Sequence, residues 1–206
     1  MTYDLLVALA GFAFVMSISP GPSNFILLAT GATHGFARSL PIVFGVSFGF
    51  LSMVLAVGLG IGPVLQAWPL AGIALKVACA VYVVRLAIRI ARSRPAAARS
   101  AAGSPEPPIS FTQAAMLQLV NPKAWTVALI VTVSYTVPDD YLASLAAMIA
   151  VFALVNLPSI SLWAAFGVAV GRLLQDPGRL RLFNIAMAVL LVASMAPVLL
   201  DISPPA

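Results

Sequence analysis

Along this chain the apolar residues run in long blocks and do not alternate with polar ones. Six blocks stand out, at about 5–30, 41–64, 67–88, 112–136, 142–168 and 182–200. As a helix, about 20 apolar residues cross the roughly 30 Å hydrocarbon layer of a bilayer. No period-two alternation recurs at the roughly ten-residue spacing of a membrane barrel. The pattern therefore predicts an all-α membrane protein with six transmembrane helices. Composition agrees: of 206 residues, 62% are hydrophobic and 8% charged, whereas a soluble domain carries about 25% charged residues. The mean hydropathy is +1.07. The opening MTYDLLVALA has no positive n-region and no clean cleavage site follows it, so it reads as the start of span one.

Charge fixes the expected orientation. After spans one, three and five come Arg38, then Arg89, Arg92, Arg94 and Arg99, then Arg172, Arg179 and Arg181. The opposite ends carry Asp4, Asp139, Asp140 and Asp201 and no lysine or arginine. Basic residues stay on the cytoplasmic side, so both termini are expected outside. The basic residues are too few and scattered for nucleic acid, and the single Cys79 excludes a disulfide framework. Trp68 fits the outer aromatic belt, Lys76 lies near the outer end of span three, and Arg85, Arg89 and Arg92 share one helical face as topology anchors.

The segment 93–110, SRPAAARSAAGSPEPPIS, reads as a flexible cytoplasmic linker. It divides the chain into repeats 1–92 and 111–206 with three spans each. An odd number of spans per half places the halves in opposite orientations, a common transporter plan. The breakers support the pairing. Span one holds SPGPSN, Ser19 to Asn24, and span four holds Asn121-Pro122-Lys123; Pro122 and Pro22 differ by 122 − 22 = 100 positions.

Each proline deletes a backbone donor and breaks the helix, freeing carbonyls that must find partners in protein or a watered cavity. Helix N-termini favour a carboxylate and freed carbonyls favour a cation. Pro20, Gly21, Pro22, Asn24, Asn121, Pro122 and Lys123 are therefore the candidate substrate-binding residues, with Asn156 of the irregular Asn156-Leu157-Pro158-Ser159 run as an eighth. Lys123 stands about ten residues into its span, where a lysine costs about 3 kcal/mol. No acid lies within a span to pair with it. A substrate carboxylate is the expected partner; the alternatives are that the lysine snorkels to the cytoplasmic surface or donates to the carbonyls freed by the kink. Trp125 and Trp163 lie deep in their spans, either shaping a pocket or packing.

Gly45-Val46-Ser47-Phe48-Gly49 matches the G-x-S-x-G of a serine hydrolase, with His34 the only histidine. That serine sits mid-helix with no acid to orient the histidine, so Gly45 and Gly49 read as a close-contact helix face. No phosphate-binding loop is present, and neither a cofactor nor a metal is expected.

Pro20-Gly21-Pro22 with Asn24, the glycines Gly35, Gly45 and Gly49, Asn121-Pro122-Lys123 and the run NLPSISLWAAFGVAVGRLLQDPGRLRLFN together resemble the LysE (RhtB) family of amino-acid exporters, over nearly the whole chain. The resemblance implies a bacterial inner-membrane exporter driven by the proton motive force, with six helices in two inverted halves. SPGPSNFILLATGATHGFARS looks most like the branch exporting cysteine and O-acetylserine. Span three departs from the family, with Tyr82 between Ala80 and Ala87 and Arg85 close by. No embedded acid offers itself as proton carrier; Asp4 lies at the outer edge, and His34 is the candidate relay. The expected partners are an amino-acid substrate, protons, lipid and a second copy of the chain through the small-residue faces. Small neutral substrates are favoured, their carboxylate on Lys123 and the helix end at Pro20–Pro22, their ammonium on Asn24, Asn121 and freed carbonyls. A passive channel or scaffold stands as the alternative.

Overall fold

The computed structural model of the chain describes residues 1–60, 69–93, 107–174 and 176–194, with backbone alone for 69–76 and 78–80. Every regular element among them is helical: α1 (Tyr3–Ile18), α2 (Pro22–His34), α3 (Phe36–Gly58), α4 (Pro69–Arg92), α5 (Phe111–Leu119), α6 (Pro122–Tyr135), a 3-10 turn (Pro138–Asp140), α7 (Tyr141–Leu173) and α8 (Pro177–Ala193). Trp68, Arg94, Arg99, Asp201, the end of span six and most of the expected linker lie outside the described residues, as do the Lys76 and Cys79 side chains.

Two described helices, α3 and α7 with its leading turn, are long and apolar enough to cross a membrane, and the number rises to four if each bent pair is one span. The bends fall at the two proline breaks: α1 turns into α2 through 55° and α5 into α6 through 66°. Pro22 and Pro122 each occupy the first turn of the new helix, where a missing N–H costs no hydrogen bond. Two other prolines do not interrupt their helices. Pro41 lies inside α3, which begins upstream of the expected span at Phe36, and Pro158 lies inside the continuous 33 residues of α7.

The helices sort into two packing units. In one, α7 packs against both α1 and α2, with α8 behind α2; in the other, α3 packs against α5 and α6. Glycines make each unit tight. A Cβ on Gly31 would lie 2.2 Å from the Ala164 carbonyl oxygen, and one on Gly167 2.2 Å from that of Leu28. The second seam is similar: a Cβ on Gly45 would meet the Phe111 carbonyl at 2.3 Å and one on Gly49 that of Ala115 at 2.5 Å. Small residues at such seams let backbones approach where lipid provides no hydrophobic drive between helices. The two units meet along α3–α7 and α2–α3, and α4 packs on α8.

Their buried side chains form two apolar clusters. One, toward the arginine-bearing helix ends, gathers Ile26, Leu27, Ile42, Val83, Ile109, Leu117 and Ala164. The other, toward the aspartate-bearing ends, gathers Leu9, Phe50, Met53, Val131, Leu145 and Phe152. At the first end Arg89 donates to Gln113 Oε1 at 2.9 Å and to the Pro107 carbonyl, and Tyr82 donates to the Gln113 carbonyl, tying α4 to the start of α5. Arg89 is thus a structural brace as well as a topology marker. At the other end the Tyr141 hydroxyl donates to the Gly58 carbonyl at 2.6 Å.

Replacing Gly167 by Ala puts a methyl against a backbone oxygen, an overpacking cost of about 1–3 kcal/mol. Gly167→Ala is expected to lower the melting temperature of the detergent-purified protein. Gly11→Ala, where nothing lies within 4 Å of the new methyl, is expected to leave it unchanged.

Candidate functional site

The last carbonyls of a helix have no partner within it, and α1 ends between the two apolar clusters. Side chains meet all of them. Ser19 Oγ donates to the Met16 carbonyl at 3.2 Å; Asn24 Nδ2 donates to the carbonyls of Ser17 at 3.1 Å and Ser19 at 2.8 Å. Trp163 Nε1 reaches from α7 to the Ile18 carbonyl at 3.1 Å. Lys123 Nζ reaches from α6 in the other unit, donating to the Ser19 carbonyl at 2.6 Å and the Ser19 hydroxyl at 2.8 Å. The lysine thus takes the kink carbonyl, the second of the two partners weighed for it. The break of α5 is handled alike: Trp125 Nε1 donates to the Leu119 carbonyl at 2.9 Å, and Asn121 Oδ1 accepts from the Lys123 N–H at 3.1 Å. The deep tryptophans are caps.

The two breaks touch. A Cβ on Gly21 would lie 3.0 Å from Lys123 Cδ. Ser23 Oγ accepts from Gln118 Nε2 at 2.9 Å and from Asn121 Nδ2 at 3.2 Å. On α7, Asn156 Nδ2 donates to Ser17 Oγ at 3.0 Å, while its buried Oδ1 has no partner.

These groups enclose a cavity of about 50 Å³. Its wall draws Met16, Ser17, Gly21, Ser23, Asn24, Phe152, Asn156 and Ile160 from one unit, and Val46, Phe50, Gln118, Asn121, Lys123, Ala124 and Val127 from the other. Of the residues singled out in the sequence, Gly21, Asn24, Asn121, Lys123 and Asn156 lie on this wall. Pro20 is exposed, and Pro22 and Pro122 start their helices without lining the cavity. Ser17, Ser23 and Gln118 went unnoticed in the sequence, since a neutral side chain in an apolar span carries no signal of its own. Ser47 is buried mid-α3 between the seam glycines, and His34 Nδ1 is bonded to Thr33 Oγ1 at 2.7 Å, so no nucleophile and base meet. No metal-binding cluster of His, Cys, Asp or Glu forms among the described residues.

Asn24→Ala removes the side-chain donor to the Ser17 carbonyl, while that of Ser19 keeps Lys123; leaving a buried group unsatisfied costs about 1–3 kcal/mol. Its expected outcome is a clear drop in melting temperature in detergent. Asn24→Asp, which keeps the shape but brings oxygens against the carbonyls, is expected to fall at least as far.

Comparison with known proteins identifies the family. Cysteine/O-acetylserine efflux proteins of Escherichia coli and Shigella sonnei are 31% identical to the chain over 194 residues, covering 93% of it and 96% of each relative. No solved structure matches. The family model for LysE type translocators matches residues 14–200, and the chain accordingly belongs to the LysE family of membrane transporters.

Proposed function

We propose that this protein is a secondary exporter of small neutral amino acids or close derivatives across the bacterial inner membrane, driven by the proton motive force. The observation that carries the reading is the meeting of two interrupted helices over a walled polar cavity in a chain of translocator type. A zwitterion needs one end to hold an anion and one to hold a cation. The starts of α2 and α6, at Gly21–Asn24 and Asn121–Ala124, offer N-terminal dipole ends for the carboxylate. The unpartnered Asn156 Oδ1 and the carbonyls ending α1 suit the ammonium. Phe50, Phe152, Val46 and Ile160 line the cavity's apolar side, which suits a small side chain. Relatives named for cysteine and O-acetylserine efflux carry substrates of this size. No carboxylate stands on the wall for a second cation, which disfavours lysine or arginine.

Six spans in two inverted repeats remain the topology of this reading, with the linker at 93–110 and both termini outside. The contacts at the breaks support it. Shifting by 100 positions turns Gly21 into Asn121 and Lys123 into Ser23, so the Gly21–Lys123 contact becomes the Asn121–Ser23 contact, and both are present. The basic ends of α4 and α7 and the basic start of α3 gather on one side, as an inside face requires.

In a host sensitive to cysteine and its analogues, expression is expected to raise resistance and accelerate efflux from preloaded cells, with loss of the effect under a protonophore. Hosts as sensitive with the protein as without it contradict the exporter reading. Asn156→Leu removes an acceptor from the site; at about 1.4 kcal/mol per lost bond, the apparent KM for efflux is expected to rise roughly tenfold.

A further inference from the structure

The helices lining the cavity carry few ionisable side chains, and nearly all stand at helix ends. They are Tyr3 and Asp4 in the first turn of α1, His34 closing α2, Arg38 opening α3, Tyr135 closing α6, and Tyr141 and Arg172 at the two ends of α7; α5 has none. Lys123 is the exception. It is the one ionisable residue on the cavity wall, and among the described residues no carboxylate stands there with it. Its ammonium occupies a seat built from backbone. The Ser19 carbonyl has two lone pairs, taken by Lys123 Nζ at 2.6 Å and Asn24 Nδ2 at 2.8 Å, and Lys123 also holds the Ser19 hydroxyl. That carbonyl cannot accept a second cation while the first remains.

Resting on the proton-coupled exporter reading, we propose that Lys123 carries the coupling proton, and that its ammonium and the substrate's ammonium occupy the Ser19 seat by turns. Two ammonium groups a few ångströms apart in this poorly solvated site repel strongly. A substrate arriving from the cytoplasm therefore enters as the proton leaves Nζ to the cytoplasmic side. The loaded site then holds a zwitterion and a neutral amine. After the substrate departs outside, Nζ takes a proton from that side, returns to Ser19 as an ammonium, and the empty site swings back with its positive charge. One zwitterion leaves and one proton enters per cycle, so one positive charge moves inward, and both the pH gradient and the membrane potential drive export. Asp4, Asp139, Asp140 and His34 stand at helix ends or in the turn before α7 and not on the cavity wall.

The test uses the full chain in liposomes with radiolabelled L-cysteine under reducing conditions. For the wild type, accumulation against a gradient is expected with an imposed pH difference or potential. In exchange with both sides at one pH, acidification is expected to raise KM without changing the maximal rate, the mark of proton and substrate competing. Lys123→Gln cannot carry a proton; it is expected to retain measurable exchange with a KM independent of pH, and to lose driven accumulation. Lys123→Arg keeps the bonds to Ser19 and the charge but does not release its proton. It is expected to melt like the wild type and to support neither exchange nor accumulation. A lysine serving only as a brace predicts the reverse order, with Arg the better substitute. Driven accumulation in either variant overturns the assignment and leaves the exporter reading standing. Loss of exchange in a folded Lys123→Gln protein also overturns it, placing the lysine on the substrate. A wild type that neither exchanges nor accumulates cysteine overturns the exporter reading for this substrate and the proton assignment with it.

Discussion

Backbone carbonyls released inside a bilayer have no water to turn to, and each left bare costs several kcal/mol. The end of α1 exposes such a set halfway along its span, and the surrounding residues are arranged around that need. Ser19 folds its hydroxyl back onto Met16, Asn24 reaches from the next helix to two carbonyls, Trp163 comes across from α7 and Lys123 from α6. The groups that make the site polar are first of all the groups that let the helix stop there. On the proposed reading, binding and folding share one set of atoms, and a substrate entering the cavity would compete with the protein for its own caps.

The interruptions were legible in the sequence because proline leaves a gap that no apolar neighbour disguises. Which prolines interrupt was legible only in part. Pro22 follows Gly21, which lies fully extended, and Pro122 follows Asn121, whose side chain caps the new helix. Pro41 and Pro158 follow Leu40 and Leu157, which offer neither an extended joint nor a cap, and there the helix runs on. The local neighbour therefore separates a break from a tolerated proline, and the irregular Asn156-Leu157-Pro158-Ser159 run lies inside an unbroken helix.

What stayed hidden depended on distance along the chain. Gln118 meets Ser23 across 95 positions and Asn156 meets Ser17 across 139. Serine and glutamine in a span look like ordinary polar dilution until the fold brings them together. Lys123 was conspicuous for the opposite reason, being a charge where none belongs. Its partner was still not fixed by that fact, since a carbonyl and a carboxylate satisfy an ammonium equally well on paper.

The glycine seams against backbone run inside the two packing units, while Gly58 of α3 meets the Leu145 side chain of α7 between them. Gly31, Gly167 and Gly171 clamp α2 to α7, while Gly45 and Gly49 clamp α3 to α5. Each packing unit therefore takes one kinked span from one half of the sequence and one straight span from the other. The chain is interlaced: neither half of the sequence encloses a whole packing unit, and the α3–α7 contact joins the two units. Severing the connection between halves would leave two fragments, each holding part of both units, and only their reassembly would restore the packing.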